Sequence, residues 1–375
     1  MNKFTRSQMG KIMAYALSAA MAVTVVPTYM MKPLVAEAAV AVETQEVSNG
    51  KELTVATDTD KKTRFALFTK YQSQESEPEE FQTGDNAVYV FDAVDANATK
   101  LTIPYDVPAG TWSDDTTMEI ALIDSYINKG KFDYDDIMVC FYHWLNDAKY
   151  TATNEVFDAG RTCIQAIINY SKGKEPLDCG LKDEFSNGNG SLMRILPVAL
   201  YCHTKNLKEK EIINLTNDIS SLTHAHEISR LGCYIYVRYV MFLLDGLSKK
   251  EAYVKIQKLN YKNYSNYSLE KYTRILNENI SEYELDDISS RGYVVDTLEA
   301  SLWLVLKYDN YKETIIEAIN LGDDTDTVAA IAGSMAGIIY GIDSIPKNWL
   351  DTLLKREYLI ELAENFEKKV CESKW

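Results

Sequence analysis

From Gly110 to its end this 375-residue chain repeats apolar residues every three to four positions, the spacing of one face of an α-helix. Ile137, Phe141 and Trp144 fall at i, i+4 and i+7, and stripes of the same kind begin at Ile164, Leu192, Cys233, Leu298, Val328 and Leu359. Ser113 stands where a helix N-cap belongs and Gly130 where a helix stops. No alternation of strands with helices interrupts the pattern, which excludes a parallel α/β sheet. The reading for residues 108–375 is one all-α domain, with the Tyr- and Asn-rich stretch from Tyr261 to Tyr283 as a surface helix–loop insertion.

The text before it differs. Lys3, Arg6 and Lys11 precede an uncharged apolar run, Ile12 to Val26, and Ala36-Glu37-Ala38 offers a cleavage site. Residues 1–38 therefore read as a signal peptide or an uncleaved anchor. The first implies a secreted or cell-surface protein; without a working signal the chain stays cytoplasmic. Residues 39–107 hold four β-leaning pieces, ELTVAT, RFALFT, AVYVFDAV and KLTIP, between polar, turn-rich text. They form a strand-rich or irregular segment too short to bury much core alone. A net charge of −16 argues against nucleic acid and anionic membrane surfaces as partners. Six cysteines without a CxxC pair, and only four histidines, argue against zinc. Several of those cysteines lie in apolar helical stripes, as small buried hydrophobes do.

The chemistry gathers in two acidic clusters, each at the mouth of an apolar helix. GTWSDDTTM carries Ser113, Asp114, Asp115 and Thr116; NLGDDTDTVAA carries Asp323, Asp324, Asp326 and Thr327. Singly, each reads as a capped helix start whose carboxylates answer free N–H groups and the helix dipole. Together, with hydroxyls beside them, they form the ligand set of a hard cation such as Mg2+, Mn2+ or Ca2+. About four or five carboxylates in one place do not all stay ionised without cations between them. Such a set suits two metals roughly 3.5–4 Å apart. A third element, FSNGNGSLMRILPVAL, runs a Gly/Asn/Ser loop into an apolar helix, either as a plain turn or as a cradle of N–H groups for phosphate. Arg194 within it is expected to be a buried ion-pair partner rather than a phosphate contact. Ala329, Gly333 and Gly337 leave one helix face nearly bare for close packing.

These pieces occur together, in the same order, in the ADP-ribosylglycohydrolase family, which the chain resembles from about Pro108 to Trp349. GTWSDDTTMEIAL is similar to the family's first metal motif and VFDAGRTCIQAI to its F-D-x-G segment. NGNGSLMRILPVAL resembles its N-G-x-L-M-R segment, and THAHEISRLGC its Thr-His helix start. GYVVDTLEASLW, INLGDDTDTVAAIAGSMAGIIYG and IPKNW resemble its C-terminal signature.

The resemblance implies an orthogonal all-α core with a centre of two divalent cations, Mg2+ or Mn2+. It also implies hydrolytic release of ADP-ribose from an ADP-ribosylated protein side chain or small molecule. Carried over, Ser113, Asp114 and Asp115 hold metal from one side and Asp324, Asp326 and Thr327 from the other. Asp158, near the substrate ribose, and Asp115 are the implied catalytic carboxylates. Asn189, Gly190 and Ser191 match the loop that holds ADP-ribose, and Tyr293 a residue beside it. The family's opening helix, with its Gly-Asp-x-x-Gly motif, has no counterpart before Gly110. The alternative is therefore a weak or inactive ADP-ribose-binding relative, unless Glu75, Glu77, Glu79 or Glu80 substitutes for the missing group.

Overall fold

The computed structural model describes residues 107–372, together with the backbone of four short strands ahead of them. Strands β1 (Glu52–Thr54) and β4 (Lys100–Thr102) pair antiparallel, as do β2 (Arg64–Thr69) and β3 (Ala87–Asp92). The export signal expected at residues 1–38, and Glu75, Glu77, Glu79 and Glu80, lie outside the described residues.

From Asp114 onward the elements are helices: α1 (Asp114–Lys129), α2 (Tyr134–Asp147), α3 (Arg161–Ser171), α4 (Leu196–Thr204), α5 (Glu209–Ser221), α6 (Glu227–Leu244) and α7 (Lys249–Gln257). Two short ones follow, α8 (Asn266–Lys271) and α9 (Thr273–Asn277), then α10 (Val294–Lys307), α11 (Tyr311–Asn320), α12 (Thr325–Tyr340), α13 (Lys347–Thr352) and α14 (Arg356–Glu372). Among the described residues no helix is long and apolar enough to cross a membrane.

Three helices are buried almost all round, the mark of core elements rather than surface ones. In α1 every residue from Asp114 to Ile123 is buried, and in α12 every residue from Thr327 to Ile338, including the Ala329, Gly333 and Gly337 stripe. The third, α6, is the hub: α4, α5, α7, α10 and α12 all pack on it. Helix α1 sits between α2, α4, α12 and α14. Ile137, Phe141 and Trp144 are buried together on α2, as their spacing requires.

The stretch from Tyr261 to Tyr283 is the exposed helix–loop segment its composition suggests along one side, but its other side is anchored. Tyr264, Tyr272, Ile275, Leu276 and Ile280 are buried against the core. Tyr272 is buried because its hydroxyl donates to the Ile228 carbonyl (2.8 Å), which removes the cost of taking a phenol out of water.

The loop before α1 is held from the far end of the chain. Gly110 adopts φ 85°, and a Cβ there would lie 2.1 Å from the Thr352 carbonyl oxygen, so only glycine fits. The Leu354 N–H donates to the Gly110 carbonyl (3.1 Å), and Lys355 Nζ donates to the Thr151 carbonyl (2.8 Å).

Glu119, one turn into α1, is buried, and burial pushes its carboxyl up to about 8. Between its ordinary value near 4.5 and about 8 the folded chain keeps a proton that the unfolded chain has released, so its contribution falls as pH rises through that window. Glu119→Gln should therefore leave the melting temperature unchanged at pH 4. At pH 8 it should raise stability by a few kcal/mol, on the order of one pKa unit per 1.4 kcal/mol. Parallel melting curves of the two proteins across this range would contradict it.

Candidate active site

The two acidic clusters meet. Ser113 is the N-cap of α1 and Asp324 that of α12, yet neither side chain makes the hydrogen bond of a cap. Ser113 Oγ instead donates to Asp115 Oδ2 (2.7 Å), and Thr327 Oγ1 donates to Asp324 Oδ1 (3.4 Å). The capping explanation of these residues therefore fails where it is most specific.

The electrostatics record the convergence. Burial, then the charges of Asp158, Asp326 and Asp324, hold the Asp114 carboxyl well above the usual carboxylate range. Burial, then Asp326, Asp114 and Asp324, do the same to Asp115. Asp326 is raised by burial and by Asp324, and Asp324 mainly by burial. Asp115 Oδ1 is buried with no hydrogen-bond partner. A buried carboxylate oxygen without a donor is rare, and a cation is one thing that satisfies it. As they stand, no three or more His, Cys, Asp or Glu side chains among the described residues are arranged to hold a metal ion. Asp323 is the exception in its cluster: it is exposed, at φ 54°.

Above the clusters lies a pocket of about 250 Å3, lined by Asp114, Asp158, Asn189, Gly190, Asp324 and Thr327 among others. Asp158 is no helix cap, because Gly160 occupies that position on α3. It sits at φ 55°, a conformation few non-glycine residues adopt.

Backbone hydrogen bonds stitch the walls together. Asn189 N–H donates to Gly292 O (3.1 Å), Val294 N–H to Asn187 O (3.0 Å), and Asp324 N–H to Ser290 O (3.1 Å). Asn189 Nδ2 donates to Asp324 Oδ2 (2.6 Å) and to Thr297 Oγ1 (3.0 Å), tying the glycine loop to the acidic cluster. Gly190 is required: a Cβ there would lie 2.9 Å from both Cys163 Sγ and His224 Cε1.

Two expected residues are placed otherwise. Ser191 is fully buried behind the pocket, its hydroxyl accepting from Ser220 Oγ (3.0 Å) and facing Cys233 Sγ (3.4 Å). Tyr293 caps α10 beside Gly292, at the pocket's edge rather than in its lining. Arg194 is not an ion-pair partner. It is fully buried and donates to Gly190 O, to Ile219 O (3.3 Å) and to Thr223 Oγ1 (2.8 Å), with its guanidinium over the Phe141 ring.

The structure adds residues that the motifs did not single out as site residues. Arg161, Thr162, Cys163, Met193, His224 and Gly292 also line the pocket. Phe185 is 89% exposed, in the short 3-10 turn Glu184–Ser186 ahead of Gly188, and its carbonyl accepts from Arg161 (3.3 Å). An aromatic ring left in water is a signal no sequence pattern carries. His224 was in principle findable, as one of four histidines and the one within the Thr-His segment.

Known proteins place this arrangement. A model of the ADP-ribosylglycohydrolase family matches residues 65–374, beginning ahead of Pro108, where the motifs start. An ADP-ribosylarginine hydrolase of Serratia proteamaculans (strain 568) is 32% identical over 264 residues, 70% of this chain and 68% of that protein. An ADP-ribosyl-dinitrogen reductase glycohydrolase of Rhodospirillum rubrum is 30% identical over 65% of this chain and 74% of its own. A solved ADP-ribosylglycohydrolase-related protein complex superposes with a TM-score of 0.60 at 26% identity, covering 72% of this chain and 85% of that one.

The crowding of carboxylates is itself testable. In chelator at pH 8, Asp115→Asn should stabilise the protein, since the carboxyl must either take up a proton on folding or be buried charged among its neighbours, and an amide does neither. Below pH 4 the gap should close, because wild type is then protonated in both states. A variant less stable than wild type at pH 8 in chelator would refute the repulsion.

Proposed function

The chain belongs to the ADP-ribosylglycohydrolase family and is a glycohydrolase; from that premise we propose that it releases ADP-ribose from an ADP-ribosylated protein side chain, arginine foremost. The observation that carries this reading is the convergence of Asp114, Asp158 and Asp324 on one pocket. An anionic pocket suits a substrate whose positive charge grows at ribose C1 as the bond to the leaving group breaks. It also suits a guanidinium on that leaving group. A volume of about 250 Å3 lies below the roughly 300–1,000 Å3 of sites that enclose a whole drug-sized ligand. The cleft is therefore read as the ribose-and-phosphate end, with the remainder of the ADP-ribose running over the rim toward Phe185 and Tyr293.

Two divalent cations, Mg2+ or Mn2+, complete the proposal, held by Ser113, Asp114 and Asp115 on one side and Asp324, Asp326 and Thr327 on the other. The donor set is all oxygen and hard, and the partnerless Asp115 Oδ1 fits it. When bound, they would supply Lewis-acid stabilisation of charge in the transition state. The chain's own groups do the rest. Asp158 accepts the proton of the attacking water, and the carboxylates around it stabilise the cationic ribose. The backbone of the glycine loop at Gly190 faces phosphate, while Asn189 gives its N–H to Gly292 O and fixes Asp324 in place through its side chain.

The test is release of ADP-ribose from an arginine-ADP-ribosylated protein, with Mn2+ or Mg2+ present or chelated. Turnover should need the metal. Asp158→Asn should lose about 10²–10⁴ in rate while still binding ADP-ribose. Metal should raise the wild-type melting temperature, as any ligand of the folded state does, and Asp324→Ala with Asp326→Ala should abolish that gain. Binding of ADP-ribose without turnover would mark a non-catalytic binding relative instead. An unchanged melting curve in millimolar-scale metal would rule out the paired-cation site.

A further inference from the structure

His224 enters the pocket wall as a fully enclosed imidazole, 2% exposed, with its two nitrogens in different surroundings. Nδ1 lies 2.8 Å from Thr223 Oγ1. Nε2 lies on the side of the glycine loop, 3.6 Å from where a Cβ would stand at Gly188 and 3.4 Å from one at Gly190. Which nitrogen carries the proton follows from the partner of the other.

The Thr223 hydroxyl has one proton to give. It accepts from Arg194 Nη2 at 2.8 Å, and Arg194, always charged, can only donate. Its proton then has two acceptors in reach, His224 Nδ1 at 2.8 Å and the Cys163 sulfur, which is a weak acceptor. If Nδ1 were the donor, the buried hydroxyl proton would be left to the sulfur, a weaker bond than the one to an imidazole nitrogen. With the hydroxyl donating to the imidazole, the bonds run in one direction: Arg194 to Thr223, Thr223 to Nδ1. Protonating both ring nitrogens is opposed by burial and by the Arg194 charge, which push the imidazole down to about 3.

We propose that Arg194 and Thr223 are positioning residues that lock His224 as the neutral Nε2–H tautomer, so that the pocket presents an uncharged hydrogen-bond donor beside Gly188 and Gly190. The chemical consequence concerns anion recognition. A pocket walled by carboxylates gains a donor for a phosphate oxygen without a titrating charge, so this contact holds unchanged across pH 5 to 8. A histidine at its ordinary value of about 6.5 would lose its charge within that range. The functional consequence rests on the ADP-ribose reading above; the tautomer itself does not.

The experiment is therefore done first without ligand. Full-length protein labelled with 15N in histidine is observed by two-bond 1H–15N correlation from pH 5 to 8, and the His224 signals are identified by their loss in His224→Gln. The expected result is a single, non-titrating Nε2–H pattern. Thr223→Val should blur it toward a mixture of tautomers, and Thr223→Ser should restore it. An Nδ1–H pattern, or an imidazolium titrating within this range, overturns the proposal. A pure Nε2–H pattern surviving in folded Thr223→Val removes Thr223 from it. In a second arm, ADP-ribose binding should weaken about tenfold in Thr223→Val and recover in Thr223→Ser. If wild type binds no ADP-ribose, the substrate reading fails while the tautomer result stands.

Discussion

Carboxylates that repel one another, held out of water at the mouths of α1 and α12, are what the remainder of this molecule is built to tolerate. Asp114 and Asp115 are buried, Asp324 and Asp326 partly so, and each is driven toward its neutral form by burial and by the other charges. Left free, such groups would separate. They stay because their helices cannot move: α1 and α12 are enclosed nearly all round, and α12 is packed in turn on α6. The apolar stripes and the acid clusters are thus two halves of one device, in which core packing stabilises an arrangement that electrostatics alone would undo.

The loops complete this constraint without using charge against charge. Asn189 bonds Asp324 through a neutral amide, and backbone bonds join the glycine loop to Gly292 and the second acidic loop to Ser290. Among the described residues the buried cation near the pocket, Arg194, pairs with carbonyl oxygens and a hydroxyl rather than with an acid. An ion pair there would have drained charge from the cluster. The arrangement keeps the acids available to whatever enters.

The helical body was legible because amphipathic periodicity is a local property: Ser113, Gly130 and the stripe through Ile137, Phe141 and Trp144 mark their elements at the positions observed. The meeting of the two clusters was legible through family motifs and carboxylate chemistry, not through spacing, since nothing local says that Asp114 faces Asp324. Three features were not readable. The burial of Tyr264 and Tyr272 depends on carbonyl and amide partners far along the chain, such as the Ile228 carbonyl and the Asn217 side chain. The bonding of Arg194 depends on which carbonyls end nearby. The inward turn of Ser191 depends on Cys233 and Ser220 meeting it from other helices. In each case the deciding contact is tertiary, and composition points the other way.

The clamp on Gly110 has a consequence for how the molecule comes into being. The residue pair that fixes the approach to Ser113 is Gly110 with Leu354, and the loop that completes the pocket begins at Gly322. During synthesis the first acidic cluster leaves the ribosome more than two hundred residues before the segment that pins it. For all that time Asp114 and Asp115 have no opposing wall to crowd them, and they remain ordinary solvated acids. Assembly of the charged centre is therefore among the last events of folding, and docking of the segment around Leu354 is what commits it.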